Sequence, residues 1–261
     1  MMHLNLFSAD GPLIYSAFSR NCNLMDYFIV DTYEDMSKRA AEIVLGQLND
    51  FPRLLLGAAT GNSPTGLYAR LADAARQTPA AFDSLRIAKL DEWLGLPMDH
   101  PGSCEAYIRA HLLKPLNIAA DRYFTFESDP ADPEAECRKI TRTLETQGPL
   151  DICILGIGTN GHIAFNEPAP ALTPHAHVAA LAKSSQSHSM VAGSGKHLVS
   201  GLTVGMADIF NSRQIILLIS GTSKREIVRK LMTKEITTGN PASLLWLHPN
   251  AICLIDRAAA E

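Results

Sequence analysis

Short apolar runs alternate with amphipathic stretches along most of the chain, and that alternation carries the first structural reading. Residues 53–57, 85–90, 123–126, 150–155, 214–219 and 251–255 are mostly apolar, the pattern of strands buried on both faces. Helical patterns lie between them. Asp31 or Thr32 can cap a helix that runs to about residue 48, with Met36, Ala40, Ile43, Val44 and Leu48 along one stripe. Further helices are predicted over 64–77, 102–113, 133–147 and 206–210, and from the 220–223 turn to 232. Ser63 fits the N-cap of the 64–77 helix, and Pro64 its first position. Residues 163–200 hold Pro168, Pro170 and Pro174 and read mostly as loop. Residues 1–30 are weakly patterned and read as an N-terminal extension of a single domain spanning 1–261. Strands alternating with helices predict an α/β fold, a mostly parallel open sheet with helices on both faces.

In such a sheet, polar groups gather beyond the carboxyl ends of the strands. Four ends stand out: the 57–63 loop, Asp91-Glu92, the 156–167 segment and the 220–224 turn. The first and last are small-residue turns leading into helices, where backbone N–H groups and the helix dipole favour an anion. Lys224 adds a positive charge. Either turn taken alone reads first as an ordinary strand-to-helix connection, with Lys224 solvated. Asp91 follows a strand and neighbours Leu90 and Trp93, so desolvation can raise its pKa and make it a base; as a helix cap or a partner of Lys89 it would only be structural. His162 and Glu167 share a loop with Gly156, Gly158 and Gly161, which suits backbone lying close to a ligand. A histidine passes protons near neutral pH, and a carboxylate can orient it. The apolar neighbours Ile163, Ala164 and Phe165 leave open a core histidine instead.

Charge and composition narrow the partners. A formal net charge of -4 gives no reason to expect nucleic acid, although a local positive pocket can still hold a small anion. No stretch is long and apolar enough to span a bilayer, and no basic n-region precedes an apolar core, so neither membrane nor secretion is expected. The 5 cysteines, Cys22, Cys104, Cys137, Cys153 and Cys253, show no CxxC spacing. Cys153 and Cys253 sit inside apolar runs and read as buried thiols; the whole set suits a reducing, cytoplasmic setting, and no metal site is expected.

The segments Ala59-Thr-Gly-Asn-Ser-Pro64, Leu90-Asp-Glu-Trp-Leu-Gly-Leu-Pro97, Leu155-Gly-Ile-Gly-Thr-Asn-Gly-His-Ile-Ala-Phe-Asn-Glu-Pro168 and Leu202-Thr-Val-Gly205 together resemble the glucosamine/galactosamine-6-phosphate isomerase (deaminase) family. The resemblance runs in order from about residue 30 to 257. It implies a Rossmann-like αβα sandwich, often in a homo-oligomer, acting on an amino-sugar phosphate without organic cofactor or metal. By the same resemblance Asp91 takes the C2 proton, His162 assists ring opening, and Glu167 is its carboxylate partner. Thr60, Gly61, Asn62, Ser63 and Lys224 match phosphate ligands. Glu92, Gly158 and Gly161 fall among the substrate-binding residues. Because water displaces ammonia, hydrolase as well as isomerase character is expected.

Three departures from the family pattern stand out. Asn160 stands where glucosamine-6-phosphate deaminases usually carry aspartate in the catalytic segment, and this Asn-Gly-His variant, with Pro101-Gly-Ser-Cys104, is similar to the galactosamine-6-phosphate branch. The family's phosphate-binding arginine has no match, and His188 lies near its expected place. The allosteric serine, arginine and lysine of some members fall at Pro170, His177 and Ala179, so control by an N-acetylated sugar phosphate is not expected. The competing readings are a glucosamine-6-phosphate deaminase, a 6-phosphogluconolactonase and a non-catalytic sugar-phosphate-binding regulator.

Overall fold

The structure is a computed structural model that describes residues 25–187, 190–191 and 195–261. Its strands are β1 (Asp26–Val30), β2 (Leu55–Ala58), β3 (Arg86–Lys89), β4 (Asp91–Trp93), β5 (Tyr123–Phe124), β6 (Ile152–Leu155), β7 (His177–Ala180), β8 (Ser200–Thr203), β9 (Gln214–Ile219) and β10 (Ala251–Asp256). The helices are α1 (Tyr33–Asp50), α2 (Asn62–Gln77), α3 (Cys104–Ile108), α4 (Pro133–Gln147), α5 (Lys183–Gln186), α6 (Met206–Phe210), α7 (Arg225–Met232) and α8 (Arg257–Ala260).

A central sheet runs β1-β10-β9-β6-β2-β3-β5, parallel at every pairing. Successive side chains of a strand face opposite ways, so each apolar run feeds two cores. Leu55, Cys153, Leu155, Ile215, Leu217, Cys253 and Ile255 pack on one face with α4, α7 and Trp246. Leu56, Ile152, Ile154, Ile216, Leu218 and Leu254 pack on the other with the apolar stripes of α1 and α2. The expected three-layer α/β arrangement is what the chain forms.

Two expectations change and one is refined. Residues 26–30 are not part of an extension: they form β1, paired with β10 at the sheet edge, where Tyr27 stacks edge-on against Trp246. The run Tyr27-Phe-Ile-Val30 is apolar, so this strand was signalled by the sequence although it lies largely exposed at the sheet edge. The described part of the 163–200 stretch is mostly loop, as expected, but β7 within it and β8 from its end join β4 in a second, antiparallel sheet ordered β4-β8-β7. The N-cap of α2 is Gly61, at φ 122°, rather than Ser63. That conformation is open to glycine and strained for residues with a Cβ. Pro64 then sits within the first turn, where a missing N–H leaves no helical bond unmade.

The connections reverse direction between β2 and β6: from β2 the chain adds β3 and β5 on one side, and from β6 it adds β9 and β10 on the other. The loops leaving β2, β6 and β9 therefore open beside the crevice where doubly wound sheets hold ligands.

Candidate active site

The two anion-type turns meet across this crevice. Ser63 Oγ of α2 lies 3.1 Å from Ser220 Oγ in the turn after β9. The first turn is held from behind: Tyr107 and Thr65 hydroxyls donate to the Gly61 carbonyl at 2.8 and 2.9 Å, and Tyr33 donates to the Asn62 carbonyl at 2.7 Å. The second is held by buried Asp256, which accepts from the Gly221 amide at 3.1 Å. A cleft of about 420 Å³ borders both turns, lined by Tyr33, Asn62, Thr65, Ser220, Gly221 and Asp256. These bonds fix both turns from the protein side, with the Ser63 and Ser220 hydroxyls facing one another between them. Lys224 reaches across to donate to the Ile157 carbonyl at 2.7 Å, which places its ammonium beside the loop after β6. Burial lowers its pKa.

Asp91 opens β4 and is 5% exposed. Its Oδ1 is buried without a hydrogen-bond partner, which is unusual for a carboxylate. Desolvation first, and the neighbouring Glu92 second, push its pKa up to about 7, against the pull of His162, Lys89 and the Cys104 thiol. That value matches a base working near neutral pH.

Glu92 does not join it. Neighbouring strand residues point to opposite faces, and Glu92 turns inward, where Lys89 and the amides of Trp93, Cys104 and Glu105 donate to its carboxylate. At 0% exposure it has no surface to offer a substrate, contrary to the expectation from its sequence position.

After β6 the chain turns tightly. The Gly158 amide donates to the His162 carbonyl at 2.9 Å, and the Gly161 amide to the Gly158 carbonyl at 3.0 Å. A Cβ on Gly158 would come within 2.4 Å of the His162 ring, so only glycine lets the imidazole lie flat on this turn. Gly161, at φ 94°, backs onto Asn240. Neither glycine presents a side chain; both shape the backbone under His162.

His162 Nδ1 lies 3.2 Å from Glu167 Oε2 and 3.3 Å from Ser185 Oγ. Glu167 also accepts from the Asn160 amide at 2.7 Å and from the Ser185 hydroxyl. Burial opposes its ionisation, but the donors His162, Ser185 and Asn160 outweigh it and hold the carboxyl at about 2. Asn160 thus reaches Glu167 and the His162 backbone amide, at 3.2 Å, rather than the imidazole. Ala164 holds φ 47° at the turn of this loop, fixed by Asn166 on the Ile163 and Val204 carbonyls. Strain of that kind persists where surrounding contacts over-determine the backbone.

Ser185 was not expected. It sits on α5, inside the stretch read as loop, and nothing in its local sequence signals contact with a histidine more than twenty residues away. His188 lies outside the described residues. Among the described residues no cluster of His, Cys, Asp or Glu has the makings of a metal site.

A family model described as glucosamine-6-phosphate isomerases/6-phosphogluconolactonase matches residues 31–253. The chain belongs to this family. AgaI of Escherichia coli (strain K12), provisionally named a deaminase, is 37% identical over 227 residues, 87% of this chain and 90% of that protein. The glucosamine-6-phosphate deaminase of Geobacillus sp. (strain WCH70) is 38% identical over 229 residues, 87% and 91% of the two chains. Among solved structures, a monomeric glucosamine-6-phosphate deaminase is 35% identical, superposes with a TM-score of 0.85, and is matched over 90% of this chain and 99% of its own. The expected hydrolase character is corrected by these family relatives, which are named deaminases. The solved 6-phosphogluconolactonases, which are hydrolases, share only fold with this chain, at 18% identity for the one from Leishmania guyanensis.

Proposed function

We propose that this protein isomerises and deaminates a 2-amino-2-deoxyhexose 6-phosphate, with galactosamine 6-phosphate as substrate and tagatose 6-phosphate and ammonia as products. The observation that carries the reading is Asp91: a buried carboxylate oxygen with no partner, its pKa raised to about 7, beside His162 and linked through the Cys104 thiol to Thr60 of the first anion-type turn.

In this reading the groups divide the work as follows. Thr60, Gly61, Asn62 and Ser63 bind the phosphate together with Lys224, and this remote grip orients C1 and C2. A closed pyranose has no carbonyl, so His162, held by ionised Glu167, moves a proton from O1 to O5 and frees the aldehyde. Asp91 then takes the C2 proton, and the electron pair of that C–H bond delocalises towards C1 as an enolamine. Return of a proton to C1 leaves an imine at C2. Water adds there, ammonia departs, and the 2-ketose remains.

The C4 epimer rests on Asn160 and the Asn-Gly-His variant. The second reading, glucosamine 6-phosphate giving fructose 6-phosphate, is favoured by the names of the relatives at 35–38% identity. Among the described residues, Cys104, Cys137, Cys153 and Cys253 are buried and unbridged, which suits a cytoplasmic setting, and no described helix is long and apolar enough to cross a membrane.

Ammonia release from galactosamine 6-phosphate and glucosamine 6-phosphate, measured side by side, tests the proposal. A higher kcat/KM on the galactosamine ester is expected, and the reverse order would assign the second reading. Lactone hydrolysis without ammonia from either would overturn both, and binding without turnover would leave a non-catalytic regulator. In Asp91→Asn, exchange of the C2 hydrogen with solvent should vanish while substrate still binds.

A further inference from the structure

Lys89 and Glu92 flank the Leu90-Asp91 pair, and both side chains are wholly buried. Neither takes part in the proton transfers proposed above. Lys89 Nζ donates to Glu92 Oε2 at 2.6 Å, to Glu105 Oε2 at 3.2 Å and to the Phe126 carbonyl at 3.3 Å. Glu92 Oε1 accepts from the Trp93 and Cys104 amides at 2.9 and 3.0 Å, and Oε2 from the Glu105 amide at 2.8 Å. Glu105 in turn accepts from Tyr123 Oη at 2.7 Å, Thr125 Oγ1 at 3.2 Å and Arg109 at 2.7 Å. One buried charge cluster therefore ties β3, β4, α3 and β5 together.

Stability is a poor explanation for such a cluster, since well-packed apolar side chains often serve a fold as well or better. Its placement is more informative. Asp91 sits between the two buried charges in sequence, and the α3 amides that Glu92 holds belong to the turn carrying Cys104. The Thr60 hydroxyl donates to Cys104 Sγ at 3.4 Å, linking α3 to the anion turn. The cluster thus spans from the base to the phosphate grip.

We propose that Lys89, Glu92 and Glu105 are positioning residues for the proton abstraction, fixing the place of the Asp91 carboxylate relative to the phosphate turn and the field in which it takes a proton. The proposal rests on the deaminase reading, in which Asp91 is the base. The charged and titratable groups around Asp91 are Glu92 on its own strand, Lys89 from β3, His162 from the loop after β6, Cys104 from α3 and Tyr68 from α2.

Ammonia release by the full chain, followed from pH 5 to 9 with kcat and KM separated, tests it. Glu92→Gln removes a negative charge beside the base and should move the acid limb of kcat/KM down by about one pH unit. Adding Lys89→Met removes the compensating positive charge and should return the limb towards the wild-type position. Glu92→Asp keeps the charge but loses reach: the limb should stay, KM should hold within about twofold, and kcat should fall about tenfold or more. Thermal melting identifies which variants fold. A folded Glu92→Gln with the wild-type limb, or a folded Glu92→Asp with the wild-type kcat, overturns the proposal. Collapse of both assigns the cluster to folding alone and overturns it equally. A wild-type chain that releases no ammonia defeats the deaminase reading itself, before any variant is made.

Discussion

Asp91→Asn should make the protein more stable at pH 8 while abolishing turnover. In the folded chain the carboxyl titrates at about 7, pushed up by desolvation and by Glu92, against an ordinary value of 3.8 when unfolded. The folded state therefore binds more protons than the unfolded one between those values, and stability must fall as pH rises through that window. Each pH unit is worth about 1.4 kcal/mol, so the separation of about 3 units costs the wild type about 4 kcal/mol once pH exceeds 7. Asparagine does not titrate and escapes this loss. Urea unfolding of both proteins at half-unit steps from pH 4 to 8.5 gives the difference curve directly. It should climb between pH 4 and 7 with a slope approaching about 1.4 kcal/mol per unit, then level off. Any fixed cost of housing the amide moves the whole curve without changing its shape. A flat difference curve, or one that falls with pH, would refute the raised pKa and with it the argument for Asp91 as a base. Activity should run the other way, rising as pH passes 7, because only the ionised carboxylate can accept the C2 proton.

Two further outcomes follow from geometry. Gly158→Ala would bring a Cβ within 2.4 Å of the His162 ring; steady-state kinetics should show kcat lowered about a hundredfold with KM little changed, as expected for a misplaced proton carrier. Lys224→Gln removes a charged donor beside the two turns, and loss of one charge-assisted hydrogen bond, about 1.5–3 kcal/mol, should raise KM about ten- to a hundredfold and weaken competitive inhibition by inorganic phosphate in parallel.

Much of the fold was legible because it is written in local pattern. The strand Gln214–Ile219 and the helix Met206–Phe210 begin and end where apolar periodicity places them. What periodicity misses is structure made by partners distant in sequence. β4 has only 3 residues, and β7 lies in a proline-rich stretch, so neither carries its own signal; they become strands because β8 bonds to both. The site shows the same limit. Asp91, His162 and Glu167 could be picked out by residue type and strand-end position. The inward turn of Glu92 depends on which face of β4 meets α3, a fact of packing. Ser185 enters only through tertiary contact, and Ser63 lost its expected capping role because Gly61 allows the helix to start two residues earlier.

The division into two sheets separates handle from tool. The anion-type turns hang from parallel strands, whereas Asp91 stands on the small antiparallel layer, joined to the larger one through Leu90. With the ester held by those turns as proposed, sequence drift in the small layer can rewrite which bond is attacked while the anchor stays intact, so one scaffold can host unrelated reactions on similarly tethered sugars.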